Sequence, residues 1–100
     1  MKNDRFFTHD VKRSCEAKLD IEFVRTGNVF HGWFKKNKLK TRRVTVLEGK
    51  QLIGIGLYRS MASQLGLTTD QFDDLLECPL NKEGYEEILR GQGMIRDYRP

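Results

Sequence analysis

Only two cysteines occur in the 100 residues, Cys15 and Cys78, and neither sits in a CxxC pair or beside a histidine. Neither a disulfide framework nor a zinc site is indicated, and a reducing compartment is the simplest expectation. No apolar run approaches the roughly 18 residues that a bilayer-spanning helix needs. The polar opening MKNDRFFTHD lacks the hydrophobic stretch of a secretory leader, so the expected protein is cytoplasmic and folds where it is made. Internal repeats and low-complexity segments are lacking as well. What remains is 38% hydrophobic and 32% charged, the balance of an ordinary globular chain. Its length suits one domain, residues 1 to 100, with a single modest core and no room for a separate catalytic domain.

Charge is unevenly placed. Residues 1 to 43 hold twelve Lys and Arg against five Asp and Glu, whereas residues 44 to 100 hold six against nine, so a half of +7 is joined to a half of −3. The basic excess peaks in KKNKLKTRR (35 to 43), six cations in nine residues, directly after the aromatic-rich FHGWF (30 to 34). Cations for phosphate beside flat rings for stacking are what single strands and loops of RNA require. The competing reading is a solvated loop between two strands whose rings belong to the core. A run this dense favours a polyanionic partner.

The stretch ASQLGLTTDQFDDLL (62 to 76) has the outline of a helix-turn-helix, with Leu57, Met61 and Leu65 on one face before Gly66 and Phe72, Leu75 and Leu76 after it. A recognition helix lies between two rows of phosphates and needs a neutral or basic exposed face. This one offers Asp70, Asp73, Asp74 and Glu77 and no Lys or Arg, so the pair reads as packing helices. Acids at i, i+3, i+4 and i+7 are expected to face solvent or a protein partner, and no metal site is expected of them.

Periodicity organises the rest. Val11, Cys15 and Leu19 predict a helix over 8 to 19, with Thr8 or Asp10 available to cap its start. IEFVR (21 to 25) and VFHGWF (29 to 34) flank Gly27-Asn28 as a hairpin, and RRVTVL (42 to 47) supplies a third strand after a basic loop. The glycine-punctuated EGKQLIGIG leads into the helix pair. Gly54 and Gly56 serve helix entry there, because GIG without a following Lys-Ser or Lys-Thr is a weak phosphate signal. Pro79 ends the second helix, and Asn81 caps a last one through Tyr85, Ile88 and Leu89. The order predicts an α+β sandwich, α-β-β-β-α over 8 to 77 with a helical extension over 78 to 100, an order shared with domains that bind double-stranded RNA.

IEFVRTGN (21 to 28), RRVTV (42 to 46) and GIGLYRSMASQLGLTTDQF (54 to 72), taken in that order and spacing, resemble the HicA family of toxin ribonucleases, and the last segment is the most specific. The resemblance covers about half the chain. It implies a fold like that of double-stranded-RNA-binding domains, an endoribonuclease acting on messenger RNA without a cofactor, and a HicB-like antitoxin as partner. Where the family has its catalytic histidine after a Gly-Ser turn, this chain has Val29 after Gly27-Asn28. The nearest imidazole is His31, two residues on and on the same strand face.

His31 is therefore the catalytic candidate, an imidazole being able to polarise a ribose hydroxyl or protonate a leaving oxygen near neutral pH. Its alternative role is that of a structural strand residue. Trp33 shares its face and is either core or stacking platform. Lys35, Lys36, Lys38, Lys40, Arg42 and Arg43 are the phosphate-contact candidates. His9, at the start of the first helix, is expected to serve the surface or the cap. Two functions follow: a HicA-like toxin endoribonuclease, or a catalytically inactive module that binds nucleic acid or inhibits a nucleic-acid machine through its acidic C-terminal half.

Overall fold

The computed structural model describes residues 1–36, 39–77 and 79–93, the side chains of Lys36 and Leu39 excepted. A single 3-10 turn at Asn3–Arg5 precedes α1 (Thr8–Leu19), which is followed by β1 (Glu22–Thr26), β2 (Val29–Lys36), β3 (Leu39–Leu47), α2 (Ile55–Leu65), α3 (Thr69–Glu77) and α4 (Lys82–Gly91). The result is a mixed α+β fold in which one antiparallel sheet, in the order β1-β2-β3, carries its helices on one side.

α1 forms because Val11, Cys15 and Leu19 stack along one face at helical spacing, and all three are buried. Asp10 accepts a hydrogen bond from the Phe7 N–H at 2.8 Å, satisfying a first-turn donor. Thr8 donates to the Gly49 carbonyl and accepts from the Gln51 N–H, tying the helix start to the loop after β3. Asp20 ends the helix in the left-handed region, which a short polar side chain tolerates better than most. Gly27 fills the first central position of the two-residue β1–β2 turn with φ +63°. Only that position is left-handed, the pattern of a type II′ hairpin turn.

Inward-facing strand residues meet the helices in one cluster. Phe34, Val44 and Val46 lie against Tyr58, Met61 and Leu65 of α2 and Phe72 and Leu75 of α3. α4 belongs to the same cluster: Tyr85 packs edge-on against Phe34 at 4.8 Å and donates its hydroxyl to the Leu65 carbonyl. Burial, with Cys15 adding to it, pushes the Tyr85 hydroxyl pKa upward against the opposing charge of Arg42, so it stays a neutral donor. No helix among the described residues is long and apolar enough to cross a membrane.

The largest departure from the sequence expectation concerns residues 35 to 43. Most of this run is strand rather than loop: β2 continues to Lys36 and β3 begins at Leu39, three residues before the predicted start. Cross-strand pairing supplies the backbone bonds, and alternate side chains can stand in solvent, so charge density does not prevent strand formation. A β-bulge adds one residue here. Phe34 pairs with Arg42 and Lys35 pairs with Lys40, leaving Thr41 as the extra residue of β3.

Gly32, in the middle of β2, is the glycine with the least room for a side chain. A Cβ there would lie 2.5 Å from Ile21 Cγ2 and 2.7 Å from Phe23 Cε1. Gly32→Ala is expected to cost about 1–2 kcal/mol through overpacking. Urea unfolding checks this, and an unchanged midpoint would show that Phe23 swings aside without strain.

Candidate functional site

The face of the sheet opposite the helices carries the candidate residues. Direct cross-strand partners share a face, so the register places His31, Thr45 and Val24 in one row and Trp33, Arg43 and Glu22 in the next. Val24 is 67% exposed, the largest exposure among the described apolar strand residues. His31, Trp33 and Thr45 are half-buried among their neighbours, as residues on an open sheet face are.

Trp33 is part of this face and not of the core. Lys40 Nζ stands 4.9 Å and Arg43 Cζ 5.9 Å from its ring, two cations over one aromatic surface. The bulge makes that possible. Strict alternation from Arg43 would turn Lys40 toward the helices, and the extra residue at 41 returns it to the Trp33 side. Lys35 lies directly opposite Lys40, so two like charges face each other at a cost that a bound anion would relieve. Among the described residues Lys35, Lys40 and Arg43 form no ion pair, and all three are exposed.

The remaining predicted cations divide. Arg42 is turned to the helix side, where Nη2 donates to Gln92 Oε1 at 3.2 Å and the guanidinium packs against Gly66. It is not brought together with Lys40 and Arg43. The side chain of Lys36 and the whole of Lys38 lie outside the described residues.

His31 is held by Thr45, whose Oγ1 is 3.1 Å from Nδ1. Thr45 is itself fixed at its backbone, donating its N–H to Gln64 Oε1 of α2 at 2.9 Å. With Nδ1 so engaged, Nε2 is the ring nitrogen available for proton transfer on the face. Sequence reasoning missed Thr45, whose pairing with His31 depends on a register that the sequence leaves open. His9 is a half-buried residue of the first turn of α1, 3.4 Å from Asp10 and stacked against Phe7.

The acidic helix face departs from expectation too. Asp70 and Asp74 are exposed, but Asp73 is only 5% exposed and works inside the fold. It accepts hydrogen bonds from the Tyr58 hydroxyl and from the Lys2 N–H. Glu77, half-buried, pairs with Lys2 and with Arg5. These two carboxylates fasten the amino-terminal residues to α3. Burial alone would raise the Asp73 pKa, but the bonds from Tyr58 and Lys2, together with the Met1 ammonium 3.5 Å away, outweigh it and hold the carboxyl below its usual value. Burial, and then the same partnership with Asp73, push Tyr58 upward. Burial also pushes the Cys15 thiol up to about 12, which leaves it unreactive at neutral pH. Among the described residues no group of three or more His, Cys, Asp or Glu is arranged to hold a metal ion.

Fold and face together define an α+β protein with a one-sided antiparallel sheet whose free face joins an imidazole, an indole and exposed cations. Compared with known proteins, the chain matches no family model, no curated protein and no solved structure.

Proposed function

We propose that this protein is a HicA-like RNA-binding protein, with helices and sheet arranged as in double-stranded-RNA-binding domains, and that its open face takes a single-stranded stretch of messenger RNA. The observation that carries the reading is the line of Trp33, Arg43, Lys40 and Lys35 leading away from His31 on a face that no helix among the described residues covers. A base stacks on the indole while the cations follow the phosphates. His31 Nε2 acts as the general acid or base in cleavage, taking the ribose 2′-hydroxyl proton or returning one to the leaving oxygen. A HicB-like antitoxin is the partner of this reading.

A second reading, binding without cleavage, is favoured by one feature: the ring contact of His31 is a threonine hydroxyl rather than a carboxylate, so nothing there sets an imidazolium in place. Both readings share the RNA face. Replacing Lys35, Lys40 and Arg43 together by Gln is expected to weaken binding of a single-stranded oligonucleotide and to lower its salt slope by about 2 units, at about 0.7 per contact. Trp33→Ala is expected to weaken binding roughly tenfold with the slope unchanged, because stacking rather than charge is lost. Fluorescence anisotropy across a salt series measures both. A triple variant that keeps the wild-type slope would remove this face from the interface.

A further inference from the structure

The two edges of the sheet are not alike. β3 packs against α2, and its outward Thr45 N–H is taken by Gln64. β1 is open along its length: Glu22, Val24, Arg25 and Thr26 are all exposed. Its guards are few: the strand is short and carries Glu22 and Arg25, but EFVRT contains no Lys and no Pro and its pairing with β2 is free of bulges.

The direction of its backbone groups follows from the hairpin. A two-residue turn closes with Thr26 and Val29 as a hydrogen-bonded pair, so Val24 and Glu22 also bond toward β2. Phe23 and Arg25 therefore point their N–H and C=O groups outward. Continued across the sheet, the same alternation turns the Thr45 N–H away from β2, where Gln64 meets it.

We propose that the protein self-associates through β1, two copies pairing antiparallel about a two-fold axis at Val24 to build one six-stranded sheet. In this register Phe23 of each copy bonds Arg25 of the other, Val24 faces Val24, and Glu22 faces Thr26. All five residues of each strand are then paired, both helix layers stay on one side, and no like charges meet directly. The neighbouring registers that keep the faces in phase pair only three residues, and one of them sets Arg25 against Arg25. The Arg25 charge is already held within its own chain, by Glu48 at 2.9 Å and the Gly27 carbonyl at 3.1 Å. The 67% exposed Val24 is the apolar centre of the contact. The two open faces would then run side by side as one surface.

Self-association is measured without RNA, so it stands or falls separately from the RNA reading. Sedimentation equilibrium of the wild-type chain is expected to show a concentration-dependent dimer at sub-millimolar concentration. Val24→Lys and Val24→Glu, each with a thermal transition near that of wild type, are expected to be monomers alone and to recover the dimer when mixed in equal amounts. A central pair of this kind, between bonded rows, also brings the two Cβ atoms close enough for a disulfide. Val24→Cys, in a chain also carrying Cys78→Ser, should therefore oxidise to a covalent dimer. A wild-type chain that stays monomeric throughout, or a folded Val24→Lys chain as dimeric as wild type, overturns the proposal. A wild-type monomer that dimerises only with RNA present would likewise overturn it, placing the contact on the nucleic acid.

Discussion

Replacing His31 by alanine is expected to lower RNA cleavage by about 100-fold or more, the usual contribution of a general acid or base. Binding of the same RNA should change little, because the affinity of such a face comes from its cations and its aromatic ring. Stability should change little as well. The imidazole is half-buried on an open sheet face and its ring contact is a single hydroxyl, so about 1 kcal/mol is at stake. The three quantities therefore separate: turnover falls steeply, affinity holds, and the unfolding midpoint shifts by no more than about 1 kcal/mol implies. Single-turnover cleavage of a labelled transcript, anisotropy and urea titration measure them in turn. Wild-type protein that cleaves no RNA would leave the binding-only reading, and a variant that binds RNA far more weakly would make His31 a contact residue instead.

Asp73→Ala is expected to destabilise the fold by about 3 kcal/mol, because two hydrogen bonds to a buried carboxylate are lost and the Tyr58 hydroxyl is left without its acceptor. Asp74→Ala, one residue on and exposed, should stay within about 0.5 kcal/mol of wild type. The contrast between neighbours makes the test specific. It also has a pH signature. The carboxyl pKa is lowered by folding, so its stabilisation is fully present above the unfolded value of about 3.9 and is lost as pH falls through the lower folded value. Wild-type stability should therefore drop across that acid window, and the Asp73→Asn profile should be flatter there. Equal acid sensitivity in both proteins would place the titrating group elsewhere.

The elements that could be read from the sequence are those whose periods stand alone. Val11, Cys15 and Leu19 mark α1 without help from any other segment, and Gly27-Asn28 marks the hairpin because few residues accept that turn. The start of β3 could not be read in the same way. Its first residues are mostly cationic, and the extra residue at 41 breaks the alternation on which strand recognition depends. Division of the basic run into two faces was hidden for the same reason: Lys40 and Arg43 meet over Trp33 while Arg42 turns to Gln92, and the bulge decides which goes where. Asp73 was hidden differently. Its spacing with Asp70, Asp74 and Glu77 is that of a solvated helix face, and what sets it apart are Tyr58 and Lys2, distant in sequence. Positions of single residues on the open face were legible from β2 alone, whereas the His31–Thr45 contact needed the pairing of two strands.

The bond from the Thr45 N–H to Gln64 has a consequence for solubility. A sheet with two free edges can add chain after chain without end, the geometry of fibres, whereas one blocked edge acts as a chain terminator. With the outward Thr45 N–H of β3 taken by Gln64, the proposed pairing at β1 would use the more open edge, and growth would halt at a finite assembly. Gln64 thus withholds from further strand addition one of the donors that a growing sheet would need.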